Sequence, residues 1–165
     1  MRVFPLLRDD APRVAALADS LYPSGFPLSV AEVAGNLARL SPADSFCWGI
    51  EAEGELVAFM MAWRDFSQLE GREDDPIVLV DDICVSPRYR RCMYTLLRQL
   101  ELGLRERGLH GIPLEGTHRL VADRLFVEHA RVVERLGYRR VMQSAFDSEH
   151  GERLVWTRYE AASSE

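Results

Sequence analysis

Long apolar runs are missing from this 165-residue sequence, and so is an excess of positive charge. No stretch is long and apolar enough to cross a membrane, and the first residues lack the apolar core of a secretion signal. Acidic residues outnumber basic ones by 26 to 20, which gives a formal net charge of −6. Non-specific nucleic-acid binding needs a broad basic surface, so we expect a cytoplasmic protein with neither a nucleic-acid nor a membrane partner.

Cysteine is scarce as well. The three copies, Cys47, Cys84 and Cys92, are widely spaced, and none pairs with a histidine at the spacing of metal ligands. Neither a disulfide framework nor a metal site is therefore indicated. Internal repeats, linkers and low-complexity segments are also missing, so we expect residues 1–160 to form a single domain, followed by a short tail at 161–165.

The most informative stretch covers residues 77–108. An apolar run, interrupted by the paired acids Asp81 and Asp82, predicts a buried strand with two carboxylates near its end. Pro87 ends this strand, because proline cannot continue a ladder of hydrogen bonds. Apolar residues at helical spacing, Met93 among them, then predict a helix from about Cys92 to a glycine stop at Gly108.

The junction between this strand and this helix has the properties of an anion site. The first N–H groups of a helix have no partner within the helix, and the helix dipole adds partial positive charge there. Arg88, Arg90 and Arg91 add charged donors with a forked geometry that suits phosphate. The alternative is a solvated turn whose arginines pair with Asp81 and Asp82, and the stretch alone favours neither interpretation.

The remaining chain alternates strands and helices. We predict strands over residues 2–7, 46–52, 55–63, 111–115, 138–146 and 153–159, and further helices after Asp9 or Asp10, over 29–40 and over 120–136. The element order is β-α-α-β-β-β-α-β-α-β-β. An α/β (α+β) fold, with a mixed, mostly antiparallel sheet and helices on both faces, would bury the apolar stripes.

This order and several motifs resemble the GNAT superfamily of acyl-CoA-dependent N-acetyltransferases over nearly the whole chain. The family's central strand commonly ends in an acid-acid-apolar-x-Val pattern followed by x-Pro-x-Tyr-Arg, which residues 81–90 follow closely. Residues 134–138 match the second half of the family's Tyr-x-Lys/Arg-Leu-Gly-Phe/Tyr ending. The resemblance implies transfer of an acetyl or other acyl group from acetyl-CoA to a primary amine on a small-molecule or peptide acceptor, and it allows a homodimer.

The pyrophosphate loop of the family reads Gln/Arg-x-x-Gly-x-Gly/Ala. Residues 90–95 occupy it here and place Met93 and Thr95 at the two small positions. Glycine lets the backbone approach the pyrophosphate, so we expect Met93 to block the site or shift the loop and to weaken binding. The residues that the resemblance assigns to the acyl-CoA are Ile83, Cys84, Val85, Arg90, Arg91, Cys92, Met93, Tyr94 and Thr95, with strand N–H groups near Ile83–Val85 polarising the thioester carbonyl.

Asp81 and Asp82 are the candidate catalytic residues. An amine with a pKa of about 10 must lose a proton before it attacks, and a carboxylate or a chain of waters must take that proton. On a regular strand the two side chains lie on opposite faces, and adjacent buried carboxylates disfavour each other's ionisation, which suits a base. The alternative is structural, with one acid paired to Arg90 or Arg91 and the other capping the loop.

Two further features bear on the chemistry. The loop at residues 66–75 carries four acids (Glu70, Glu73, Asp74 and Asp75), which suggests a cationic acceptor or simply a solvated loop. Val133 stands where the family often has a tyrosine that protonates the leaving thiolate, so His118 or Tyr94 is a candidate substitute, with His129 more typical of packing. Met93, Thr95 and Val133 together favour an alternative function, a catalytically degenerate member of the fold that acts as a ligand sensor or protein-interaction module.

Overall fold

A seven-stranded sheet forms the centre of the computed structural model, which describes residues 1–22, 27–119, 129–147 and 153–162. The strands are β1 (Arg2–Pro5), β2 (Trp48–Ala52), β3 (Glu55–Phe66), β4 (Pro76–Val85), β5 (Leu114–Arg119), β6 (Tyr138–Asp147) and β7 (Arg153–Ala161). The described helices are α1 (Ala11–Leu21), α2 (Val30–Arg39), α3 (Cys92–Glu106) and α4 (Ala130–Arg135). The spatial order is β1-β2-β3-β4-β5-β7-β6, and every neighbouring pair is antiparallel except β4–β5.

The predicted fold class and the mostly antiparallel sheet are confirmed. The prediction for β5 was wrong in its bounds. The strand begins at Leu114 rather than Gly111, which has a φ of +91°, and it continues to Arg119 through residues predicted to be a connection. Of the helix predicted over residues 120–136, positions 120–128 lie outside the described residues, and α4 covers Ala130–Arg135.

Helices cover both faces of the sheet. On the first, the α1/α2 face, Val14 and Val33 pack into one apolar cluster. On the second, the α3/α4 face, Leu97 and Val133 belong to another cluster. Each such side chain, fully buried, contributes about 1.5–3 kcal/mol of transfer free energy, so the two clusters fix the position of the helices against the strands. Within the described residues, no helix combines the length and apolar character that a membrane span requires.

The end of α3 shows how local sequence sets an element. Gly108 has a φ of +67°, a left-handed conformation that glycine adopts without steric cost. The Leu109 N–H donates to the Leu104 carbonyl at 2.8 Å, and the Gly108 N–H donates to the Arg105 carbonyl at 3.1 Å. This pair of bonds closes the last turn of the helix and confirms the predicted glycine stop.

Candidate active site

Strands β4 and β5 separate halfway along their length. Their parallel pairing comprises three residue pairs, from Val78–Leu114 to Val80–Gly116. Beyond Val80, β4 continues to Val85 and pairs there with β3, while β5 continues to Arg119 and pairs with β7. Among the described residues, the facing edges of the two strands carry no further pairing, and a cleft opens between them.

A β-bulge lies where the cleft begins. Met61 of β3 pairs with Asp82, and the next residue, Ala62, pairs with Val80, so Asp81 is an extra residue on β4. A bulge leaves the extra residue unpaired in the ladder, bends the strand and increases its twist. It also shifts by one the alternation of side chains and of backbone groups along the rest of the strand.

The bulge changes which backbone groups face the cleft. Before it, the Val78 N–H donates toward the β5 edge, and after it, the Ser86 N–H donates toward β3. Because peptide groups alternate between the two edges of a strand, the N–H and C=O groups of Ile83 and Val85 point into the cleft. The same alternation turns the peptide groups of Cys84 toward β3, and its side chain packs in the α1/α2 cluster. Of the three strand residues predicted to face a cofactor, Ile83 and Val85 thus present their backbone to the cleft.

The two acids do not lie on opposite faces, as we expected for a regular strand. The bulge overturns that expectation, because Asp82 pairs with Met61 and accepts a hydrogen bond from the Tyr22 hydroxyl at 2.9 Å, both on the α1/α2 face. Leu79 belongs to the α1/α2 cluster and Val80 to the α3/α4 cluster, so the alternation of side chains up to the bulge places Asp81 on the α1/α2 face as well. Both carboxylates therefore act on one side of the sheet, which we call the acceptor side (Asp81, Asp82 and Tyr22).

The cofactor side consists of the cleft edge of β4 and the turn that leads into α3. Pro87–Tyr89 form a 3₁₀ turn, Arg90 and Arg91 have helical φ and ψ, and α3 follows without a break. A cavity of about 330 Å³ adjoins this turn. It is lined by Met1, Pro87, Arg88, Tyr89, Arg90, Arg91 and Cys92.

Charge and backbone donors coincide at this cavity. Arg90 and Arg91 are exposed, and no ion pair joins either to another described residue, Asp81 and Asp82 included. At the start of α3, the Met93 N–H donates to the Arg90 carbonyl at 3.3 Å and the Thr95 N–H donates to the Arg91 carbonyl at 3.4 Å. The first N–H groups of a helix lack partners within the helix, so those at this turn can serve an anion. The start of α3 and the two exposed guanidinium groups thus offer the donors and the charge that an anion site requires, and the site itself stays a prediction.

The Met93 side chain does not obstruct this site, contrary to expectation. Only 2% of Met93 is exposed, and it packs with Leu96 and Leu97 in the α3/α4 cluster, away from the residues that line the cavity. The Thr95 hydroxyl donates to the Arg91 carbonyl at 3.5 Å, within its own helix. Tyr94 is 45% exposed on the first turn of α3. Residues 92–95 form the first turn of α3, and this turn fixes the position of the backbone N–H groups at the start of the helix.

One acid of the loop before β4, Asp75, takes part in a cluster of ion pairs. Arg158 of β7 is buried and binds Glu115 at 3.0 Å, Asp75 at 3.0 Å and Glu160 at 3.1 Å. Asp75 also pairs with Arg72, at 3.3 Å. Asp75 therefore holds the end of the loop to β7, while Glu70, Glu73 and Asp74 are exposed, and the interpretation of the loop as an acceptor wall stays a prediction.

Three of these polar partners were missed from the sequence. A charge inside the apolar stretch of β7 was a signal that Arg158 needs a buried partner, but nothing local identified Glu115 as that partner. Tyr22 gave no signal at all, since its bond to Asp82 spans 60 positions.

The structure also describes two of the residues considered as proton donors. Val133 is fully buried and has no donor group, and His129 is the half-buried N-cap of α4. The His118 side chain lies outside the described residues.

Sequence comparison gives one family match. A family model described as "Acetyltransferase (GNAT) family" matches residues 11–127. No curated protein sequence matches the chain significantly.

Solved structures share the whole architecture at low sequence identity. The ribosomal-protein-S18-alanine N-acetyltransferase of Escherichia coli superposes with a TM-score of 0.61 at 17% identity, over 99% of this chain and 96% of that one. The ribosomal-protein-alanine N-acetyltransferase of Brucella melitensis gives 0.68 at 15% identity, over 96% and 98%. The GNAT-like decarboxylase GphF, in complex with isobutyryl-CoA, gives 0.66 at 18% identity, over 98% and 99%. At these identities the likeness establishes the fold.

Proposed function

This chain belongs to the GNAT acetyltransferase family, and from that premise we propose that it transfers an acetyl group from acetyl-CoA to a primary amine. The observation that carries the proposal is the cleft itself. Its β4 edge turns the peptide groups of Ile83 and Val85 toward β5, and β4 leads through the turn at Pro87–Tyr89 to the arginines at the start of α3. A long, flexible thioester with a charged phosphate end needs both of these features at once.

The cofactor side fits the two ends of such a substrate. A pyrophosphate placed in the cavity before α3 meets the N–H groups of Arg90, Arg91 and Cys92 and the positive end of the helix dipole. The amide groups of a pantetheine arm match the peptide groups that Ile83 and Val85 turn toward the cleft. The same N–H groups can polarise a thioester carbonyl, because fixed donors stabilise the negative charge that develops on its oxygen.

The acceptor side supplies the base. Asp81 is half-buried and Asp82 is 2% exposed, and both act on the α1/α2 face beside the start of the cleft. In the proposed reaction, an acceptor ammonium binds at Asp81 and gives up a proton to the carboxylate pair, which leaves a neutral amine. The amine nitrogen then bonds to the thioester carbon, the C–S bond breaks, and the thiolate leaves with its electron pair. The nitrogen gives its second proton to solvent, which leaves the neutral amide.

Protonation of the thiolate needs a separate donor. Val133 packs in the α3/α4 cluster at the position where the family often has tyrosine, so it cannot supply the proton. Tyr94 is exposed on the first turn of α3 and adjoins Arg90 and Arg91 in sequence, and water reaches the same surface. We assign the proton to Tyr94 or to solvent.

The acceptor class is an amine that is cationic in solution. Two solved relatives carry names that specify the amino group of a ribosomal-protein alanine, so a peptide N-terminus is one acceptor to test and a small primary amine is the other. The degenerate-sensor alternative rested on Met93, Thr95 and Val133. The burial of Met93 removes its steric argument, and the packing of Val133 keeps its chemical one.

Thiol release with a colorimetric reagent tests the proposal. Acetyl-CoA is incubated with protein and with alanine-terminated peptides or a panel of small amines, and we expect amine-dependent release of CoA. The 20 basic residues of this chain are all arginine, so no lysine side chain competes as an acceptor, and protein without added amine reports hydrolysis. Release that is no faster with any amine than without one contradicts the transferase proposal.

A further inference from the structure

Tyr22 joins the end of α1 to the bulge of β4. The residue leaves the helix with extended backbone angles, φ −80° and ψ 143°, while its N–H still donates to the Ala18 carbonyl at 2.7 Å. Its ring is 9% exposed and lies in the α1/α2 cluster, and its hydroxyl reaches Oδ1 of Asp82 at 2.9 Å. The last residue held by α1 therefore determines where one oxygen of Asp82 lies.

The type of donor matters for a base. A buried carboxylate needs hydrogen-bond partners, because burial without them costs several kcal/mol. A phenol is neutral and donates a single hydrogen bond, so it fixes the carboxylate while leaving it able to accept a proton.

We infer that Tyr22 is a positioning residue for the proposed acyl transfer, which holds Asp82 so that the Asp81–Asp82 pair can take the amine proton. The inference rests on the proposed function.

Other ionisable groups share this part of the core and enter any pH measurement. Asp81 is adjacent on β4, and the thiols of Cys84 on β4 and of Cys47 before β2 belong to the same cluster. Among the described residues of this cluster, the ionisable group at the end of α1 is Tyr22 itself, and α2 contributes the apolar Val33. Because burial raises the pKa of Cys47, its thiol stays protonated through the range in which carboxylates titrate.

The test compares Tyr22→Phe with a matched control, Tyr138→Phe. Each variant loses one hydroxyl from a buried ring, but Tyr138 packs on the α3/α4 face. The carboxyl ¹³C signals of Asp81 and Asp82 are followed against pH as one coupled titration. We expect the midpoint of the Asp82 signal to rise by about one pH unit in Tyr22→Phe, since the lost bond favoured the ionised form, and to stay unchanged in Tyr138→Phe. An equal midpoint in Tyr22→Phe and wild type overturns the inference.

Kinetics give a second, separable readout. We expect Tyr22→Phe to lower kcat by about tenfold with an unchanged KM for acetyl-CoA, and to have no further effect in an Asp82→Asn background. The same loss in both backgrounds would show that Tyr22 does not act through Asp82. If wild-type protein acylates no amine, the proposed function fails, and the ¹³C titration still decides the role of Tyr22.

Discussion

The cofactor side and the acceptor side of the cleft are built from different parts of the chain. On the cofactor side the donors are mainly peptide groups, those of Ile83, Val85 and the turn before α3, and the arginines beside them are exposed. On the acceptor side the groups to which we assign a role are individual side chains, Asp81, Asp82 and Tyr22. Substituting a side chain leaves the backbone N–H and C=O groups in place, whereas substituting Asp81 or Asp82 removes the carboxylate. We therefore expect the two sides to differ sharply in their tolerance of mutation.

The largest effect is expected on the acceptor side. Asp81→Asn removes the charge that binds the ammonium and shares its proton, so kcat/KM should fall by about 100-fold or more. The rise in melting temperature caused by acetyl-CoA should remain, because the cofactor side is unchanged. Steady-state thiol release and thermal-shift titration measure the two quantities.

Asp74→Asn is the matched control for this change. Asp74 lies on the acidic loop, is exposed, and loses the same charge. Its rate should stay within about twofold of wild type, since exposed charges contribute little. Equal rates in Asp81→Asn and wild type would remove Asp81 from the mechanism.

The next effect concerns the residue under the cofactor side. Met93→Ala leaves a cavity in the α3/α4 cluster and should lower the free energy of unfolding by about 2–4 kcal/mol in urea titrations. Met93→Leu conserves volume and should cost less than about 1.5 kcal/mol, with unchanged affinity for acetyl-CoA. Tighter acetyl-CoA binding by Met93→Ala without loss of stability would place the methionine in the cleft after all.

A smaller effect is expected from the exposed arginines. Arg90→Ala or Arg91→Ala should weaken acetyl-CoA binding by about tenfold, because each removes one of several phosphate donors and leaves the peptide groups in place. The loss should shrink as ionic strength rises, since salt screens exposed charges. Arg98→Ala, within α3 and paired with Glu101, is the control and should bind normally.

The smallest effect on activity is expected for the ion pairs of Glu51, which lie away from both the cofactor side and the acceptor side. The Arg13 guanidinium, and then Arg2, hold the pKa of Glu51 below its usual value. A carboxyl group with a lowered pKa stabilises the fold above its usual pKa of about 4.5, and this contribution is lost as pH falls through the folded-state pKa. Glu51→Gln should therefore flatten the acid end of the stability curve and leave neutral-pH activity unchanged. An unaltered acid limb would show that the Glu51–Arg13 pair contributes nothing.

The sequence was most informative about features that neighbouring residues determine, such as the apolar face of a helix and the residue at which the helix ends. Helical spacing placed Met93 on the apolar stripe of α3 and Gly108 at its end, and both positions are observed. The motif comparison instead placed Met93 in the cofactor site, and the spacing was the better guide. A side chain on the first turn of a helix points where the stripe points, whatever residue a related motif has there.

What the sequence did not show depends on long-range geometry. The bulge at Asp81 arises from the register between β3 and β4, and no residue type in β4 signals it. The bulge places both acids on one face and turns the peptide groups of Ile83 and Val85 toward the cleft. A single extra residue in β4, which the sequence does not reveal, therefore affects both sides of the site. The bonds of Asp82 to Tyr22 and of Glu115 to Arg158 join residues 60 and 43 positions apart. Such partners follow from the fold and not from spacing along the chain.

Direct titration of the protein with acetyl-CoA in a calorimeter tests the central claim, that the cleft and the turn before α3 hold an acyl-CoA. We expect one site per chain, with a dissociation constant between about 1 μM and 1 mM, as is usual for enzyme substrates. The site should be weakened by Arg90→Ala and unaffected by Asp81→Asn. No heat of binding at millimolar acetyl-CoA would contradict the account.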